Sequence, residues 1–361
     1  MPPLDVLISF YTSLTKSLLT LVCARLYKPQ EVPPRDLSEQ TAIVTGANSG
    51  IGLSIAVALA KQGATVCLAC RNPDRGAAAV EHVISICGDH CKERVFCKIL
   101  DVGNLSSVRD FCQSWDPQID MLVHNAGIAA PPTGTASTTK EGLDVMYTTN
   151  FLGSFLMTYL LEPQLSPTAR VVFTSSTGSY SATSYFLRGH ERKKTSITGL
   201  LARTIVRAKT FVGIEESSAA AYGLSKGQQV LFASLLQQRF DSTSLADNTA
   251  TIGRTAHAFT PGFTSTPIFG KFEYSWRTWF SNPLFAVLKK TEKLIAVDTD
   301  EGAKAGAWLA TWGDELGRRG EAGGYWERMA RRTSFVELMK EKRKSEEWAL
   351  WERDTGIVWS D

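Results

Sequence analysis

The 361-residue chain lacks any uninterrupted apolar run of the roughly 18 residues that a membrane-crossing helix needs. Neither the basic stretch nor the small-residue cleavage site of a secretory leader marks its first residues. Neither charge sign is in excess: 39 Lys and Arg against 36 Asp and Glu leave a net charge of +3, so no strong field for nucleic acid exists. The seven cysteines are odd in number, cannot all pair internally, and suit a reducing compartment. Cys67 and Cys70 have C-x-x-C spacing, but no second pair follows them. They fall in an alternating apolar run, where side chains three apart point to opposite faces, so a zinc site is not expected. Fixed-period repeats and long low-complexity tracts are absent too. What remains, 43% hydrophobic and 21% charged residues, is the composition of a chain that buries a full core.

Leu4, Leu7, Ile8, Tyr11, Leu14, Leu18, Leu21 and Val22 recur at helical spacing, with Asp5, Ser9, Thr12, Ser13, Lys16 and Thr20 on the other side. This helix either docks on the protein's own surface or lies in a membrane surface through residues 1–28. Residues 29–38 are Pro-rich and polar and read as a linker. Beyond it, short apolar runs at 41–45, 65–70, 95–100, 121–123, 170–174 and 255–260 alternate with helical stretches such as 53–61. Buried strands alternating with helices make βαβ units and a parallel sheet, hence an α/β doubly wound fold.

The first strand runs into Thr45-Gly46-Ala47-Asn48-Ser49-Gly50-Ile51-Gly52. Glycines let backbone approach a pyrophosphate, and the following helix N-terminus offers free N–H groups and the positive end of its dipole. Placement after the first strand of a βαβ unit makes this a dinucleotide site rather than a mere turn.

Thr-Gly-x-x-x-Gly-Ile-Gly at 45–52 resembles the cofactor loop of the short-chain dehydrogenase/reductase family, a Rossmann-like fold. Later motifs follow that pattern in order over about residues 39–270. At the end of the second strand, where an NAD enzyme keeps an acid, stand Cys70 and Arg71. A guanidinium there can bind a 2′-phosphate and no acid repels it, so NADP(H) is the expected cofactor. The resemblance implies that Asp101 contacts adenine, and the same residue can also cap the turn before Asn104. His124-Asn125-Ala126-Gly127 resembles the family's Asn-Asn-Ala-Gly, with His124 departing from it; a hydrogen-bonded structural histidine is expected there.

Tyr222-Gly223-Leu224-Ser225-Lys226 is the family's Tyr-x-x-x-Lys, and residues four apart share a helix face. A lysine ammonium beside a phenol favours the phenolate, so Tyr222 is expected to pass a proton to or from a substrate oxygen near neutral pH. The resemblance further implies that Lys226 holds the nicotinamide ribose. Ser176 would orient the substrate carbonyl, Asn150 would hold a water in a proton relay, and the loop Pro261-Gly262-Phe263-Thr264-Ser265-Thr266 would cover the nicotinamide.

Ser176 and Tyr222 stand 46 positions apart, farther than the family's pattern, so the 177–221 insert reads as a lid at the mouth of the site or as a surface excursion. Phe263, Phe269, Phe272, Tyr274, Trp276, Trp279, Phe280 and Phe285 crowd the segment after Pro261 and favour a lipophilic substrate. Residues 318–344 hold nine Lys and Arg against four Glu, a solvated face or a surface for anionic membrane. The expected organisation is a helix and linker at 1–38, a catalytic domain at 39–315 and a helical extension at 316–361. The expected activity is NADP(H)-dependent hydride transfer to or from a carbonyl or secondary alcohol of a lipophilic small molecule. The nearest resemblance is to the retinol-dehydrogenase-like branch, and fungal natural-product tailoring reductases look similar, which suggests secondary metabolism. A membrane-associated retinoid, steroid or lipid dehydrogenase and a catalytically silent NADP(H)-binding scaffold stay open as rivals. The expected site is cytoplasmic or at the cytosolic face of a membrane, with no metal, no nucleic-acid partner, and homo-oligomerisation left open.

Overall fold

The computed structural model describes residues 2–131, 136–188, 218–246, 253–265 and 295–359. The strands are β1 (Thr41–Thr45), β2 (Thr65–Cys70), β3 (Val95–Ile99), β4 (Ile119–His124), β5 (Leu165–Thr174), β6 (Thr255–Thr260), β7 (Tyr325–Glu327) and β8 (Ala330–Arg332). They form one sheet in the order β3-β2-β1-β4-β5-β6-β7-β8, parallel throughout except for the last pair. The chain leaves β1 for β2 and β3 on one side and returns with β4 on the other, so the strand order reverses between β1 and β4. In open α/β sheets a ligand crevice opens at that reversal, beyond the carboxyl ends of the strands.

Both faces of the sheet are covered, which is why its strands read as continuous apolar runs. On β1, Ile43 enters one core with Phe151, Phe155, Phe173, Phe232 and Trp351, while Ala42 and Val44 enter the other with Ile55, Leu59 and Leu309. Cys67 and Cys70 likewise divide between the two cores, as strand geometry requires, and all seven cysteines are free thiols. The helices are α1 (Leu4–Cys23), α2 (Gly50–Lys61), α3 (Pro73–Cys87), α4 (Leu105–Gln113), α5 (Gly153–Leu161), α6 (Thr183–Arg188), α7 (Ser218–Ala246), α8 (Thr299–Arg318) and α9 (Glu341–Thr355). A π-helical turn, Thr148–Leu152, leads into α5.

Three differences from the sequence reading have physical causes. Helix α2 starts at Gly50 rather than Leu53, because the loop glycines themselves enter its first turn. The end of the chain does carry the expected helical extension, α9, but first adds the hairpin β7–β8 to the sheet edge. Third, α1 is long and apolar enough to cross a membrane by length and composition, which counting uncharged residues had ruled out. It docks through its other face: Phe10, Ser13, Ser17, Thr20 and Ala24 are buried, while Leu4, Ile8, Tyr11, Leu18, Leu19 and Val22 are 43–72% exposed. The apolar stripe therefore points outward. The docked face is tied by Ser9 to Thr333, Thr333 N–H to Ser13 Oγ, and Ser17 Oγ–H to Glu327 Oε2, at 2.5, 2.9 and 2.9 Å.

The basic stretch at 318–344 is mostly neutralised. Arg318 and Arg319 pair with Glu315, Arg328 with Glu301, Arg332 with Glu327, Arg343 with Glu346, and Lys344 with Glu341. The centre of the insert, residues 189–217, lies outside the described residues, as do Thr266 and the aromatic residues from Phe269 to Phe285.

Candidate active site

A cleft of about 280 Å³ opens at the reversal between β1 and β4. Gly46, Asn48, Ser49, Gly50 and Ile51 line one part of it, Arg71 and Asp101 the next, and Asn125, Ala126, Gly127, Ser176, Tyr222, Lys226, Pro261, Gly262 and Thr264 the rest. The sequence-predicted residues therefore converge, with Gly52 and Asn150 packed just behind the wall.

The loop after β1 is built for close approach. Gly46 has φ +65°, and a Cβ there would lie 2.9 Å from Ala126 Cα. Thr45 ties this loop to the one after β4: its Oγ1 accepts from the N–H groups of Asn125 and Ala126, both at 3.0 Å. Asn125 Nδ2 in turn donates to Thr45 O at 3.0 Å. Ser49 at the N-cap of α2 has extended backbone and makes no side-chain cap. The N–H groups of the first turn thus remain available to an anion, and the cradle fits a dinucleotide pyrophosphate.

Cys70 is buried at the end of β2, and Arg71 follows it exposed in the cleft wall. A second cation, Arg75, lines the same wall and was missed from sequence. Asn72 caps α3 by accepting from Arg75 N–H at 2.9 Å, so Arg75 sits in the first turn of that helix, facing back toward β2. With its amide oriented to satisfy both contacts, Asn48 oxygen accepts from Arg75 Nε at 2.9 Å and Nη2 at 3.0 Å. The Asn-Pro start of a helix after Arg71 was the signal that could have revealed it. Asp101 accepts from Gly103 N–H at 3.0 Å and so holds its turn, while Asn104 caps α4.

Tyr222 and Lys226 share a face of α7, with the lysine Nζ 5.7 Å from the tyrosine ring centre. Burial pushes the Tyr222 phenol up to about 12, and a hydrogen bond with Ser176 pulls the other way. Burial lowers Lys226 to about 7. The expected depression of the phenol by the ammonium is not what this geometry produces. Lys226 Nζ turns instead to Thr174 O at 2.8 Å and Gln229 Oε1 at 3.3 Å. Burial thus holds the phenol toward its protonated form. Ser176 also accepts from Gly178 N–H at 3.1 Å, and Ser175 Oγ–H donates to Lys226 O at 2.8 Å.

Asn150 lies in the π-helical turn, fully buried. Its Oδ1 accepts from Ile128 N–H at 2.7 Å, and its Nδ2 donates to Ile128 O and Ser225 Oγ, both at 2.9 Å. A Cβ on Gly127 would stand 3.1 Å from Asn150 Oδ1 and 3.2 Å from Lys226 Nζ, so glycine there leaves room for both. His124 is structural: it stacks on Phe173 at 4.9 Å, bonds Thr158 at 2.9 Å, and burial lowers it to about 3. Among the described residues no cluster of His, Cys, Asp or Glu could hold a metal.

The family model for short chain dehydrogenases matches residues 40–186. Dehydrogenase/reductase SDR family member 13 of Bos taurus is 33% identical over 72% of this chain and 61% of its own length. Retinol dehydrogenase 13 of Homo sapiens is 30% identical over 71% of this chain and 70% of its own. A crystal structure of an uncharacterised protein from Mycobacterium paratuberculosis superposes with a TM-score of 0.61 at 25% identity, covering 92% of this chain and all of that one. The chain spans about three-fifths of the length of the SDR family member 13 relatives it matches, 61% and 58%.

Proposed function

Because the chain belongs to the short-chain dehydrogenase family, in its retinol-dehydrogenase-like branch, we propose that it is an NADP(H)-dependent reductase of a lipophilic ketone or aldehyde. The observation that carries this reading is the convergence of Tyr222, hydrogen-bonded to Ser176 and beside buried Lys226, with the anion cradle of α2 in one cleft. When bound, the nicotinamide supplies the hydride that the carbonyl carbon receives. Tyr222 O–H gives its proton to the carbonyl oxygen, Ser176 hydroxyl holds that oxygen as negative charge develops, and Lys226 in its protonated form adds positive charge behind them. Asn150 fixes the turn on which this set rests. Gly46, Asn48, Ser49, Gly50, Ile51 and Gly52 hold the pyrophosphate, Arg71 the 2′-phosphate and Asp101 the adenine. Asn125, Ala126, Gly127, Pro261, Gly262 and Thr264 enclose the nicotinamide end.

The reductive direction is the one in which Tyr222 serves as acid, and burial that raises its proton affinity supports that choice. A second reading, a dehydrogenase of retinoids, steroids or other lipids at a membrane surface, is favoured by the outward apolar stripe of α1. The test is NADPH consumption against a panel of lipophilic ketones, aldehydes and retinoids. Tyr222→Phe should lower turnover of the best substrate by about 10²-fold or more, while NADPH binding persists. Turnover near the wild-type rate in that variant would remove Tyr222 from the chemistry.

A further inference from the structure

We propose that Gln229 is the positioning residue that sets the proton affinity of Lys226 and ties it to the Asn150 turn. The inference rests on the reading of Tyr222 and Lys226 above and extends it one turn along α7. Residues three apart share a helix face, so Gln229 sits beside Lys226. It is fully buried. Its Oε1 accepts from Lys226 Nζ at 3.3 Å and its Nε2 donates to Asn150 O at 2.7 Å.

An ammonium has three hydrogens to place. Thr174 O takes one at 2.8 Å, Gln229 takes a second, and the remaining direction is toward the cleft that Lys226 lines. Among the described residues the groups packed around Lys226 are neutral: the Thr174 carbonyl from β5, the Gly127 backbone from the loop after β4, and Asn150 from the π-helical turn. Tyr222 is the titratable neighbour on its own helix, and Asp101, Arg71 and Arg75 are the charged groups that share the cleft. With burial disfavouring the charge, two carbonyl oxygens hold the ammonium in place of a carboxylate. Removing one should lower the lysine's proton affinity further.

The other end of the amide has a separate task. The Asn150 side chain is already spent on Ile128 and Ser225, and its main-chain carbonyl is satisfied by Gln229. Only a side chain with both an acceptor and a donor bridges Lys226 to that carbonyl. Glutamate keeps the acceptor and loses the donor; methionine keeps the volume and loses both.

The experiment is a titration of the lysine ¹³Cε resonances in the full chain for wild type, Gln229→Met and Gln229→Glu, with the Lys226 signal identified by its loss in Lys226→Met. It needs no substrate. The Lys226 midpoint should fall by about one pH unit in Gln229→Met and rise by about as much in Gln229→Glu, where a carboxylate faces the ammonium. Midpoints equal to wild type in both variants would overturn the proposal, since a side chain that only fills space moves neither. Gln229→Asn, too short to reach both partners, replaces the Met variant under the same criterion if that variant does not fold. Tyr222→Phe turnover, measured in parallel, decides the underlying reading independently. An active Tyr222→Phe sinks the assignment of the acid, whereas unmoved midpoints beside an inactive Tyr222→Phe sink only the role of Gln229.

Discussion

Cys70 and Arg71 stand at the end of β2, with Arg75 on the same cleft wall, and the proposed preference for NADP(H) turns on these side chains. Arg71 was legible from its distance after the glycine loop, because strand length fixes that distance. Arg75 was not legible, since its approach depends on how Asn72 turns the chain into α3. The two guanidiniums line one wall, and a phosphate monoester held by both would gain two sets of charge-assisted hydrogen bonds. Arg71→Ala together with Arg75→Ala should weaken NADPH binding by about 10²-fold and leave NADH binding within about threefold, by fluorescence titration. An equal loss for both cofactors would show that the arginines hold the loop rather than choose the cofactor. That Tyr222 and Lys226 share a helix face was also legible, because four-residue spacing on a helix needs no tertiary information. Their proton affinities were not, because those come from burial and from where Nζ turns.

Among the elements, α1 separates pattern from placement most sharply. Its sequence announces an amphipathic helix, and amphipathic helices dock by their apolar side. This one docks by Phe10 and a row of small polar residues, Ser13, Ser17 and Thr20, and leaves most of its large apolar side chains outside. Glu327, fully buried on β7, takes hydrogen bonds from Ser17 and Arg332, both at 2.9 Å, and a leucine in place of Ser17 could offer it none. On the membrane-surface reading proposed above, the outward stripe is the part that would meet lipid, and the bonds along residues 9–17 favour a helix lying in the membrane plane over one that crosses it. The full chain should co-float with phosphatidylcholine/phosphatidylserine vesicles. Ile8→Ser, Leu18→Ser and Leu19→Ser together should cut the bound fraction by about tenfold, with the melting temperature unchanged within about 3 °C. Flotation that survives the triple change, or that never occurs, would remove the membrane from the account.

At the scale of the whole molecule, residues 341–359 close a core that the sheet alone would leave open. Trp351 is fully buried, 4.8 Å from the ring centre of Phe151 and 5.6 and 5.8 Å from those of Phe155 and Phe232. Its Nε1–H donates to Gln228 Oε1 at 3.1 Å, and Gln228 Nε2 donates to Glu347 Oε2 at 3.1 Å. The end of the chain thus braces α7 within two residues of Lys226. Trp351→Ala should cost about 3–5 kcal/mol in denaturant unfolding, as large aromatic truncations in cores do. A loss below about 1 kcal/mol would mean that α9 is a dispensable cover.

Sequence alone determined the order of strands and helices, the anion cradle and the Tyr222–Lys226 pair, because each depends on local spacing and side-chain type. It could not determine the β7–β8 hairpin. The turn between those strands places Arg328 and Met329 at φ +48° and +55°, a left-handed conformation that Asn-Gly usually announces. Here tertiary contacts hold it: Arg328 lies over Tyr27 at 5.0 Å, donates to Lys28 O at 2.6 Å and pairs with Glu301 at 3.2 Å. Which face of α1 would dock was undetermined for the same reason. Both depend on partners about 300 residues distant in the chain, which no local pattern encodes and only the assembled fold brings together.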